Sequence, residues 1–180
     1  MSSPESKKDR LVERLEALAA SQPPDRGALA NLRASLKEDS ALDGLRIVLP
    51  YVTVRAEARP FERQREEDDA LLLGGLFALH GESGNESLAS ALRRVWAETG
   101  SDSVEARFSA LMSASREDLA SHLRHAVSLV ASKKIPIDWR DLHRAIRHWQ
   151  HEDDFVRRQW ARDFWASADE PVTPDTPVTG

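Results

Sequence analysis

The side chains with the clearest chemical potential are arginines set at helical spacing. Arg140, Arg144 and Arg147 recur at steps of four and three, and Arg158 and Arg162 lie four apart. On a helix each set shares a face, because residues three and four apart are neighbours. A row of guanidiniums on a rigid face offers forked donors to the oxygens of a phosphate backbone, without any reading of bases. A second reading needs no ligand. Trp139, Leu142, Ile146 and Trp149 form an apolar stripe beside the first set, and Val156, Trp160 and Phe164 form another beside the second. The pair of stripes describes a packed helical hairpin whose arginines face water.

Other residue groups invite chemistry and do not sustain it. Residues 66–69 read EEDD. Four consecutive acids point around a helix rather than converging, so they do not make a general acid–base pair. Gly74 and Gly75 lack the strand, the spacing and the Lys-Ser/Thr of a phosphate-binding loop, and close approach of two helices explains them better. His122 and His125 are three apart, as are His148 and His151. Such a pair could hold two positions of a metal ion, but no third ligand is evident and HExxH is absent. Cysteine is absent too, so disulfides and cysteine-based zinc sites are excluded. No cofactor motif is present.

Helices must position these groups. Residues 5–20 predict a helix with Leu11, Leu15 and Leu18 inward, broken by the consecutive prolines that follow. Asp25 predicts an N-cap for a helix burying Ala28, Leu29, Leu32 and Leu36 while Arg26, Arg33 and Lys37 stay polar. Residues 40–54 predict a short helix with Leu42, Leu45 and Val48 or Leu49 inward. Residues 55–65 carry four arginines and read as a loop. Residues 62–80 predict a long helix, apolar nearly all round at LLLGGLFALH, which belongs at the centre of the core. GESGNE (residues 81–86) reads as a polar, disordered loop. Ser87 and Gly100 bound the next helix, in which Arg93 and Arg94 face outward. Ser103 predicts the cap of a helix to Met112. Ser115 and Asp118 predict a capping box for the helix that buries Leu119, Leu123, Ala126, Val127 and Val130. Asp138 caps the first arginine-bearing helix, and Asp153 or Asp154 opens the second. No segment shows convincing strand alternation. The expected fold is all-α, a compact bundle of about eight or nine helices, with residues 1–165 as one domain and residues 166–180 as an extended, disordered, proline-rich acidic tail.

Net charge is −5, which argues against a generic nucleic-acid binder. The distribution is uneven. Residues 1–65 carry twelve basic and ten acidic groups, residues 66–132 five and eleven, and residues 133–165 eight and six. Local basic faces can exist in such a chain; a uniform basic field cannot. The isolated chain should therefore grip nucleic acid weakly and in a salt-sensitive way, and firmly only inside an assembly that raises the local concentration of the strand. No apolar run approaches the roughly 20 residues of a membrane span, and a cytoplasmic location is expected.

Four segments together carry a family resemblance. DW..L...I..W followed by VRRQWARDFW (ending at Trp165) resembles the C-terminal signature of the CasB family, the small subunit of the type I-E CRISPR surveillance complex, Cascade. DRGALANLR (residues 25–33) resembles its N-terminal motif. EARFSALM (residues 105–112) and HLRHAVSLVASKKIPIDW (residues 122–139) also resemble family segments, in the family order. The resemblance implies a non-catalytic subunit, present as two head-to-tail copies. It implies contacts with the repeated backbone subunits, the large subunit, guide RNA and target DNA, and support for the displaced strand. Arg33, Arg107, Arg124 and Arg144 fall in family-like segments and are the first phosphate-contact candidates. Arg26, Lys37, Arg140, Arg147, Arg158 and Arg162 follow on helix spacing. The sequence departs from the family pattern after Arg33, where Ala34 replaces a second basic residue. A helical adaptor that touches proteins alone is the alternative, and an enzyme would need convergent carboxylates or histidines.

Overall fold

The computed structural model describes residues 4–37, 41–54 and 56–166, with side chains from residue 10 onward. Nine α-helices occur among them: α1 (Pro4–Ala20), α2 (Arg26–Ala34), α3 (Ala41–Val48), α4 (Pro60–His80), α5 (Leu88–Thr99), α6 (Asp102–Met112), α7 (Leu119–Ser132), α8 (Trp139–Arg147) and α9 (Phe155–Trp165). The expected tail and the start of the predicted third helix at Ser40 lie outside the described residues.

Helix α4 is the axis of the bundle. Its buried run from Asp69 to Ala78 is interrupted only by Leu72, which explains why its sequence shows little amphipathy. Helices α2 and α3 pack against it and against each other, and α7 and α8 pack against it as well. Gly75 makes the α2 contact possible. A Cβ there would lie 2.6 Å from the Leu36 side chain and 3.0 Å from the Leu32 carbonyl oxygen. Gly74 is similarly close to Leu32.

Helices α5 and α6 pack on α7, and α9 joins them through stacked rings. Phe164 lies between Phe108, at 4.0 Å between centroids, and Trp96, at 5.3 Å. Offset or edge contacts of this kind add roughly 0.5–1.5 kcal/mol each beyond area burial.

Several expectations need correction. Leu42 is 81% exposed: α3 turns Gly44 and Val48 inward, and helical spacing alone cannot say which face a neighbour covers. Of the alternatives Val48 and Leu49, Val48 is the buried one, and Leu49 is exposed at the start of a 3₁₀ turn. Helix α6 begins at Asp102 after Ser101, not after Ser103. Helix α7 begins at Leu119: Ser115 and Asp118 do exchange hydrogen bonds, but across the turn that precedes the helix. The loop after α4 is held in place, not disordered. Gly84 N–H donates to the Ile137 carbonyl at 2.9 Å, Asp138 N–H to Glu86 at 2.7 Å, and the Trp139 indole N–H to Glu82 at 3.1 Å. His80 adds a hydrogen bond from Nε2 to the Ile135 carbonyl at 2.6 Å. A Cβ on Gly84 would meet Pro136 at 2.9 Å, so glycine is needed where the two segments touch.

Candidate nucleic-acid interface

Helices α8 and α9 carry the arginine rows, and their orientation is set from below. Asp138 accepts from the backbone N–H groups of Arg140 and Asp141, fixing the start of α8. Trp139, Leu142, Ile146 and Trp149 are all buried, as are Val156, Trp160 and Phe164 of α9. The apolar faces are therefore fixed, and Arg140, Arg144, Arg158 and Arg162 are left exposed.

The corner between the two helices is tied to residues 113–118. The indole N–H of Trp149 donates to the Ala114 carbonyl at 3.1 Å, and Arg157 Nη2 donates to the same oxygen at 3.2 Å. The Arg157 guanidinium also lies 5.2 Å from the Trp149 ring centroid. In return, Arg116 Nη1 donates to the Ile146 carbonyl near the end of α8 at 2.8 Å. Arg116 pairs with buried Asp69 of α4 through its other terminal nitrogen. Burial pushes the Arg116 guanidinium below its ordinary value, with Arg65 reinforcing the shift and Asp68 opposing it. Neither Arg116 nor Arg157 stands out in the sequence: Arg157 has a local partner in Asp154 at 3.8 Å, but the groups that tie the two arginines to this corner, Asp69 and the Ala114 and Ile146 carbonyls, are distant in the chain.

The candidate cations divide by what already holds them. Arg33 donates through Nε and Nη2 to the carbonyl of Ala78, at 3.1 and 2.6 Å. That oxygen lies in the last turn of α4, so Arg33 acts as a C-terminal cap. Arg147 forms an ion pair with Glu66 at 2.5 Å and is mostly buried. Arg144 pairs with Asp141 at 2.5 Å, on an exposed face. Arg140 comes within 4.0 Å of Glu16, and Arg162 donates to Gln159 at 3.2 Å. Arg26, Lys37, Arg107 and Arg158 are exposed and Arg124 is half-buried; none of these five forms an ion pair with a described residue. The candidates are not gathered into one patch by any described contact: they lie on α2, α6, α7, α8 and α9, with Lys37 just beyond α2.

Among the described residues no group of three or more His, Asp or Glu side chains is placed to hold a metal ion. No described helix is long and apolar enough to cross a membrane. A helical bundle with buried apolar faces and guanidiniums on its outer surface defines the class: an all-α protein. The family model of the CRISPR-associated protein Cse2 matches residues 28–165, and the chain belongs to that family. A CRISPR-associated protein Cse2 of Thermus thermophilus is 35% identical over 107 residues, which are 58% of this chain and 60% of that protein. The match thus spans about three-fifths of the length of that curated relative. The crystal structure of CasB from Thermus thermophilus superposes with a TM-score of 0.71 at 30% identity, covering 88% of this chain and 97% of that one. A chain of a CRISPR RNA-guided surveillance complex shares the fold, with a TM-score of 0.70 at 22% identity over 90% of this chain and 93% of its own.

Proposed function

We propose that this protein is the non-catalytic small subunit of a type I-E RNA-guided surveillance complex. In this reading it supports the pairing of guide RNA with target DNA, and the displaced strand, through basic helix faces. Membership of the Cse2 family carries the reading. The physical case is that exchange of a DNA duplex for an RNA–DNA duplex is nearly balanced in free energy, so a few backbone contacts can tip it. Such contacts need cations on a surface that does not yield. Helices α8 and α9 offer this, because their opposite faces are buried tryptophan and phenylalanine.

Within the proposed set, Arg107, Arg124, Arg158, Arg26 and Lys37 are the cations with no described ion pair or side-chain hydrogen bond to give up, and Arg162 spends one donor on a neutral amide. Arg144 must exchange Asp141 for phosphate, and Arg140 must leave Glu16. Arg33 and Arg147 contribute first by holding α4, to which both are bonded. The proposed partners are the repeated backbone subunits, the large subunit, a second copy of this chain, and the nucleic acid.

The test is target-duplex binding by the reconstituted guide-RNA complex, with and without this chain, across a salt series. Loss of the open target complex on omission, with guide binding intact, is the expected result. A complex that opens its target equally well without the chain overturns the reading. A chain that is required for opening while its arginines are dispensable assigns it to the adaptor class.

A further inference from the structure

Helices α6 and α7 enclose a groove of about 680 Å³, whose lining includes Ala106, Arg107, Ala110, His122, His125 and Leu129. Its lining carries no carboxylate, whereas the clefts beside α4 and α2 include Asp68 and Asp25. This is unexpected in the most acidic third of the chain. The groove combines one fixed positive charge, two imidazoles able to donate N–H, and an apolar floor.

A segment of matching chemistry follows directly in the chain. Helix α9 ends at Trp165, whose ring stands edge-on to Phe108 at 5.1 Å between centroids, and Phe108 itself lines the groove. Residues 167–180 then carry three carboxylates, Asp169, Glu170 and Asp175, and no Lys, Arg or His. Their prolines fall at 171, 174 and 177, a step of three. In an extended proline-type helix, with three residues per turn, this step would put the prolines on one face and Val172, Asp175 and Val178 on another. Val172 to Val178 would span about 19 Å, close to the roughly 15 Å of α7 between His122 and Ser132. Reach is ample: fourteen residues extend to about 45 Å, and one helix diameter of about 10 Å separates the two sides of α6.

We propose that residues 167–180 dock in the α6–α7 groove, with their carboxylates toward Arg107, His122 and His125 and their valines on the apolar floor. The segment is tethered, so its effective concentration at the groove is on the order of millimolar. An intrinsic affinity in that range is enough to occupy the groove. This proposal is independent of the nucleic-acid reading. Arg107 belongs to both, so where both hold, the segment and a strand compete for one guanidinium.

The experiment compares the histidine ring signals of the full chain with those of the full-length Asp169→Asn/Glu170→Gln/Asp175→Asn variant. These substitutions change no residue of the described helices. The expected result is a change confined to His122 and His125, reproduced by Arg107→Ala. A synthetic peptide of residues 167–180, titrated into the neutralised variant, should restore the original signals saturably, about tenfold more weakly when Arg107 is alanine. Unchanged ring signals in the neutralised variant overturn the proposal. So does peptide binding that ignores Arg107, which would place the segment on Arg158 or Arg162 instead. Signals that depend on protein concentration would assign the occupant to a second copy and overturn the intramolecular form. Each outcome is distinct from loss of target opening in the reconstituted complex, which bears on the nucleic-acid reading alone.

Discussion

Arg116 reaches from the turn before α7 into the core and pairs there with Asp69, which is 1% exposed. The same guanidinium donates to the carbonyl of Ile146. One side chain therefore joins the central helix to the end of the arginine-bearing helix α8.

Breaking this pair leaves a charge buried without its counterpart. Arg116→Met should destabilise the chain by about 3–5 kcal/mol, whereas removing both charges in Arg116→Met/Asp69→Leu should recover most of that loss. Urea unfolding of the full-length variants measures both. A double variant no more stable than the single one would mean that the contact with Ile146, and not the ion pair, dominates.

Asp68, next along α4, behaves in the opposite sense. Burial raises its carboxyl above the ordinary value, Arg116 opposes the rise, and Glu67 adds to it. A carboxyl raised in the folded state costs stability when charged, and the cost disappears as pH falls through the raised value because the native state takes up the proton first. Asp68→Asn should therefore raise the melting temperature at neutral pH, and the gain should shrink as the solution is acidified into the carboxylate range. The gain is small, because Asp68 keeps much of its surface in water. Melting curves of the two proteins across pH check the sign.

The two kinds of arginine should separate experimentally. Arg33 caps α4 through Ala78, so Arg33→Ala should cost about 1.5–3 kcal/mol of stability. Arg158→Ala/Arg162→Ala should leave unfolding within about 0.5 kcal/mol of the parent. If both cations touch phosphate, the same double substitution should lower the salt slope of target binding by about two. An unchanged slope in the folded double variant would return these residues to the solvated face of a helix.

Gly75→Ala tests the close α2–α4 approach. Alanine gains about 1 kcal/mol of helix propensity, but the new methyl meets Leu36 at 2.6 Å and the Leu32 carbonyl at 3.0 Å. Overpacking of about 1–3 kcal/mol should win, giving a lower melting temperature than the parent.

Local signals in the sequence located most helices, because caps and apolar stripes act within a turn or two. Asp25, Ser87 and Asp138 each accept the backbone N–H bonds that their types predict. Tertiary pairing was not legible. Nothing in GESGNE signals that its backbone pairs with residues 137 and 138, some fifty positions away, and polarity alone made it look unstructured. Leu42 misled for a related reason: a hydrophobic period describes a face and not its neighbour. The arginine candidates were visible as cations. What distinguishes Arg33 from Arg158 is a carbonyl 45 residues distant, which spacing cannot report.

The stacking of Phe164 between Phe108 and Trp96 also bears on how the molecule is made. The N-cap of α5 at Ser87 is bonded to Asp163 of α9, 76 residues later, at 2.7 Å. Synthesis runs from the N-terminus, so α5 and α6 emerge with one apolar face uncovered and wait for nearly all of the remaining described chain. Until α9 arrives, Trp96 and Phe108 are exposed adhesive surface. Slowing translation between α6 and α9 should therefore lower the soluble yield of the protein.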